Sequence, residues 1–69
     1  MDYRTFMIAV TRLNGKKFVV NAEHIRYLES TPDTLITLEN GDKFMVKETL
    51  DDVVNLVIQY QRQIHAFVP

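Results

Sequence analysis

Few side chains in this chain of 69 residues could do chemistry, and their spacing is unfavourable. Glu23-His24 is the only adjacent acid–imidazole pair. Neighbours on a strand point to opposite faces, so these two cannot share a proton relay. The Ser and Thr hydroxyls fall in turns and strand edges with no base nearby in sequence, which gives nucleophilic catalysis no support. His24 and His65 are far apart, and neither a paired-histidine spacing nor an acidic calcium-loop pattern occurs. His65 stands near the end of a helical segment, where an imidazolium complements the helix dipole. With no cysteine, disulfides, iron–sulfur clusters and thiolate zinc sites are excluded. The expectation is a chain with no enzymatic activity, no metal and no cofactor.

Binding is the better prospect. Arg12, Lys16 and Lys17 cluster about one turn and form the candidate partner-binding patch. Residues 1–20 carry Arg4, Arg12, Lys16 and Lys17 against Asp2 alone, while the remainder is acidic, for a net charge of −1. So small a net charge gives no bulk attraction to nucleic acid or anionic lipid. Three clustered cations are few for a phosphate track, and no aromatic-rich RNA-binding motif accompanies them, so nucleic acid is not the expected partner.

The elements that must position these residues are clearly punctuated. Asn14-Gly15 and Asn40-Gly41 each separate two apolar runs, the pattern of a two-residue hairpin whose type I′ turn needs positive φ. Ser30-Thr31-Pro32-Asp33 reads as a type I turn with Pro32 fixing φ. Asn14, Gly15, Pro32, Asn40 and Gly41 are thus structural turn residues. They delimit strands at about 6–13, 16–21, 24–30, 34–39 and 42–47, joined by connections short enough for a consecutive antiparallel meander. Asn21 is suited to tie the turn before the third strand through its side chain.

After Glu48 the period changes to that of a helix. Thr49 with Asp52 forms a capping-box variant, and Asp51 and Asp52 occupy the first turn, where the dipole favours acids. From Leu50 to His65 there is neither Gly nor Pro. The fold class is therefore α+β: a five-stranded antiparallel β-meander followed by one C-terminal amphipathic helix.

Apolar surface exceeds what that architecture can cover. Leu50, Val53, Val54, Leu56, Val57, Ile58, Tyr60 and Ile64 fan over about 200° of the helix, whereas one small sheet covers about 100°. Phe6, Ile8 and Val10 alternate with Met7 and Ala9, so the first strand is apolar on both faces. A domain of this length has a marginal core of its own. Homo-oligomerisation is expected, with Leu56, Ile58 and Tyr60 as candidate interface residues. The apolar run Phe6 to Val10 is too short for a signal-peptide core, and no stretch approaches the ~20 apolar residues of a membrane span. A cytoplasmic location without membrane insertion is the expectation.

The order of motifs narrows the reading. Residues Met7 to Lys16 (Met-Ile-Ala-Val-Thr-Arg-Leu-Asn-Gly-Lys) are followed by Val20-Asn21, then Ile25 and Glu29. Next come Thr31-Pro32-Asp33-Thr34, Ile36-Thr37-Leu38, Asn40-Gly41 and Val46-Lys47-Glu48. Together they closely resemble the FlbD/SwrD family of short bacterial flagellar (swarming motility) proteins, over about residues 7 to 64. The resemblance implies a single domain over 7–69 preceded by an extension at 1–6, with translation starting at Met1 or Met7. It also implies a non-enzymatic cytoplasmic accessory protein of flagellar motility, at the flagellar base. Such a protein would act by protein–protein interaction with flagellar motor (stator) proteins to support motor power. It supplies no catalytic residues. Weaker, partial resemblances give the alternative, a nucleic-acid-binding regulator of flagellar genes. Ile25 to Glu29, Ile36 to Leu38, Asn40-Gly41 and Val46 to Leu50 look like part of a LytTR-type DNA-binding domain, and Ile8 to Arg12 looks like the start of the RNA-binding regulator CsrA.

Overall fold

The structure, a computed structural model, describes residues 7–66, with side chains through Arg62. Residues 1–6, expected as an extension, and the side chains of Ile64 and His65 lie outside the described residues. Among the described residues five strands precede one helix: β1 (Met7–Thr11), β2 (Lys17–Asn21), β3 (Ile25–Ser30), β4 (Thr34–Leu38), β5 (Lys43–Val46) and α1 (Leu50–Ala66). The α+β class and the order of elements are those expected.

The meander is divided, however, into a two-stranded sheet β1–β2 and a three-stranded sheet β3–β4–β5. The break falls between β2 and β3. There Asn21 Oδ1 accepts the Glu23 N–H at 2.9 Å and caps a single 3-10 turn, Ala22–His24. That turn swings the chain out of the plane of β2 instead of folding it back alongside. Glu23 and His24 therefore sit on a turn, not on the start of the third strand. The two sheets meet at a seam on the other side of β1, through the Arg12↔Val46 bridge and a Lys47 N–H bond to the Thr11 carbonyl of 2.8 Å.

The hairpin turns form where Asn-Gly places them, but with a different geometry. Gly15 and Gly41 have φ of 90° and 94°, and no other described residue has positive φ. Type I′ turns, which need positive φ at two central residues, are thereby excluded. Each loop instead closes three residues, with Gly15 N–H bonded to Arg12 O and Gly41 N–H to Leu38 O, both at 2.9 Å. This is a turn followed by a glycine bulge. Each Asn carbonyl oxygen accepts a backbone N–H two residues on, from Lys16 and Asp42. Such side-chain bonding is what recommends Asn at this position. The Thr31–Pro32 peptide is cis, so the tight turn there is not type I.

The core gathers Ile8, Val10, Val20, Ala22, Ile36, Val46, Val53 and Tyr60. Helix α1 begins as its sequence requires, with Asp52 N–H bonded to Thr49 Oγ1 (3.1 Å) and Thr49 N–H to Asp52 Oδ2 (3.4 Å). It packs mainly against β1 and β3. Its inward line is Val53 and Tyr60, seven positions apart and nearly in phase at 100° per residue. Leu56 and Val57 flank that line, half-buried against the core. The far margin of the apolar arc, Val54 and Ile58, remains exposed.

Candidate functional site

Three chain segments converge on the seam. Thr11 ends β1, and Glu48 lies between β5 and the helix cap. The Thr11 N–H donates to Glu48 Oε1 and the Thr11 hydroxyl to Oε2, both at 2.8 Å. One carboxylate thus holds the first hairpin to the start of α1. Burial pushes the Glu48 carboxyl up, but that is outweighed by the two bonds from Thr11, a backbone bond of its own and the charge of Lys17. The carboxyl is held below its ordinary value of 4.5.

Arg12, one residue on, points to the other side of the hairpin. Its guanidinium carbon stands 4.1 Å from the centre of the Phe18 ring and 5.2 Å from that of Phe44. The two rings are themselves 5.4 Å apart and tilted. Phe18 comes from β2 and Phe44 from β5, so the stack spans both sheets. A guanidinium over aromatic faces keeps its N–H edge available while its flat face is desolvated. Among the described residues no carboxylate lies within ion-pair distance of Arg12.

Beside this stack runs a cleft of about 550 Å³ lined by Arg12, Phe18, Val19, Val20, Asn21, His24, Leu38 and Phe44. It follows directly from the divided meander, since β2 turns away where a continuous sheet would have closed against β3. At its far end His24 Nδ1 lies 3.9 Å from Glu39 Oε2, a pair more than half exposed.

The structure separates the basic cluster expected around the first turn. Arg12 belongs to the aromatic stack, half-buried. Lys17 lies opposite Thr11 on the other face of the hairpin, near Glu48, and Lys16 is exposed in the turn. The candidate interface residues separate too. Tyr60 is only 7% exposed, so as a core side chain it cannot serve an outer contact as expected from its place near the edge of the apolar arc. Burial raises its phenol, and the neighbouring Glu23 carboxylate, to which it hydrogen-bonds, raises it further. Leu56 packs half-buried against the core, and Ile58 alone of the three is exposed, at 38%.

Sequence reasoning missed Glu48, Phe18, Phe44 and Leu38 as site residues. Each carries an ordinary local role in its strand or cap, and the contacts that gather them join distant segments. Glu48 and Thr11 are 37 positions apart. Among the described residues no group of three or more His, Asp or Glu side chains is placed to hold a metal ion. No helix there is long and apolar enough to cross a membrane. The arrangement can bind through its cleft and stack.

Neither a curated protein nor a solved structure matches the chain significantly. The family comparison is positive: residues 7–65 match FlbD, flagellar and swarming motility proteins, so the chain belongs to that family.

Proposed function

We propose that the chain is a non-enzymatic, cytoplasmic accessory protein that supports flagellar motor power by contacting motor (stator) proteins at the flagellar base. Family membership carries the motility role. The mode of action is supported by the surface, where large apolar side chains stand exposed on both sheets and on the helix: Val19, Tyr27, Met45, Val54 and Ile58. Val54 and Ile58, four positions apart on one helix, form an exposed apolar pair that favours contact with another protein. Self-association belongs to the same proposal, with Val54 and Ile58, one helical turn apart, as the contact.

The test is deletion and complementation in a motile bacterium that encodes the protein. Loss should reduce swarming and the torque of tethered cells while flagellin transcripts and filament number stay unchanged. Reduced transcripts with normal torque per motor would replace this reading with gene regulation. In that case, binding to flagellar-operon DNA or RNA in a mobility-shift assay should weaken steeply as salt rises.

A further inference from the structure

We propose that the open edge of β2 and the cleft beside it receive an extended segment of a partner protein, added as a sixth strand, with an acidic side chain of that segment on Arg12. This docking mode rests on the reading of the chain as an interaction protein and says where and how the contact is made.

The first observation is the edge. Among the described residues β2 pairs only with β1, and β3 only with β4. Natural proteins protect such edges with bulges and charges. β3 has both: its register with β4 slips between Ile25 and Tyr27, and Arg26 and Glu29 lie along it. β2 runs through five regular pairs with no bulge, and its central side chain, Val19, is 56% exposed. The Arg12 N–H bonds the Lys16 carbonyl at 2.8 Å. By antiparallel alternation Phe18 and Val20 then face β1 with their backbone groups, while Lys17, Val19 and Asn21 turn theirs outward.

The second observation is the cleft. Phe18, Val19, Val20 and Asn21 all line it. Successive side chains of a strand point to opposite faces, so a cleft touching four in a row follows the backbone edge itself. An added strand would lay alternate side chains between Phe18, Leu38 and Phe44, the arrangement by which strand addition gains specificity.

Charge complementarity selects the occupant. Arg12 is fixed on two rings, lines the cleft and has no carboxylate partner among the described residues. No acid occurs between Thr11 and Asn21, while Lys16, exposed in the adjoining turn, adds positive potential at the same end. An Asp or Glu in the incoming segment meets a preorganised guanidinium there, and a Lys meets repulsion.

The experiment selects random short peptides displayed on phage against the full chain and measures the enriched peptides by fluorescence polarisation. Enriched sequences should alternate apolar residues and carry one acid. Changing that acid to Lys should weaken binding by roughly ten-fold or more, the scale of one charge-assisted hydrogen bond. Arg12→Gln should remove the preference for the acid. Val19→Pro deletes an outward N–H and should abolish binding, while its thermal melt reports whether the fold survives. In the unaltered chain, amide shifts on titration should concentrate at Lys17–Asn21 whatever that variant does. Selection of basic or unpatterned peptides, an acid preference that survives Arg12→Gln, or shifts centred elsewhere would overturn the proposal. A dimer by light scattering that Val19→Pro makes monomeric would also overturn it, because a second copy would then hold the edge. A chain that binds the selected peptides yet leaves motor torque unchanged on deletion would refute the motility mechanism and leave the docking site standing.

Discussion

Glu48→Ala removes the carboxylate that holds β1 to the start of α1. Two bonds of 2.8 Å are lost together, and the Thr11 N–H and hydroxyl lose their partner. Hydrogen bonds to a charged group contribute about 1.5–3 kcal/mol each. Glu48 is half-buried, so water recovers part of that, and about 2–3 kcal/mol is the expected loss for the pair. An isolated domain of this size has about 3–5 kcal/mol in all. At about 4–8 °C per kcal/mol, the melting temperature should fall by roughly 10–20 °C. Thr11→Val keeps the backbone bond and should cost about 1–1.5 kcal/mol. Because the two residues share the interaction, the double variant should lose less than the sum of the singles, by about 1 kcal/mol or more.

The same carboxylate makes stability depend on acidity in a defined direction. Its folded pKa lies below the ordinary 4.5, so the folded state binds the proton less readily than the unfolded one. The contribution is fully present above 4.5 and is lost as pH falls below it through the folded value. Glu48→Gln keeps the shape but has no proton to take up, so its stability should fall less steeply over that acid range. Urea denaturation of the parent and the four variants at neutral pH and across the acid range measures all of this. A Glu48→Ala midpoint indistinguishable from the parent, or strictly additive Thr11 and Glu48 variants, would refute the clasp.

Gly41→Val places a β-branched residue at φ of 94° with open space around its Cβ, so the cost is conformational, about 1–3 kcal/mol in a thermal melt. Thr37 Oγ1 is buried with no partner, and Thr37→Val should therefore be neutral or stabilising by about 1 kcal/mol in the same melt. Tyr60→Phe deletes the hydroxyl bonded to Glu23 and should cost about 1 kcal/mol, whereas Tyr60→Ala opens the core and should cost about 3–5 kcal/mol, both read by denaturant midpoint. If the protein self-associates through α1, light scattering at micromolar concentration should give a mass above 8.1 kDa that Ile58→Asp returns to the monomer without loss of helix.

What the sequence made legible was whatever a few neighbouring residues settle among themselves. Asn-Gly located both hairpins, because only glycine takes positive φ freely, although the neighbouring Asn bonds forward and leaves a bulged loop in place of a type I′ turn. Thr49 and Asp52 cap the helix within one turn. The apolar arc of α1 was equally plain, but periodicity fixes only its width. It does not say which meridian faces inward, and Tyr60 near one margin turned out to share the buried line with Val53. The Thr11–Glu48 clasp was not legible, because nothing local to either residue requires the other.

The Asn21 cap shows how one local bond decides the global surface. A link of only three residues between β2 and β3 is short enough for a hairpin, which is why the sequence predicts a continuous meander. Asn21 Oδ1 instead takes the Glu23 N–H and fixes a 3-10 turn, which diverts β3 from β2. β2 is then left with one partner, and the space beside it becomes the cleft that Phe18, Phe44 and Arg12 close at one end. Had the strands paired, Arg12 would cap a closed sheet and its stacking would be a matter of stability alone. With the outer edge of β2 open among the described residues, the same guanidinium stands beside outward-facing backbone donors and acceptors. The cap at Asn21 thus sets an open edge and an apolar cleft beside a guanidinium that has no carboxylate partner among the described residues.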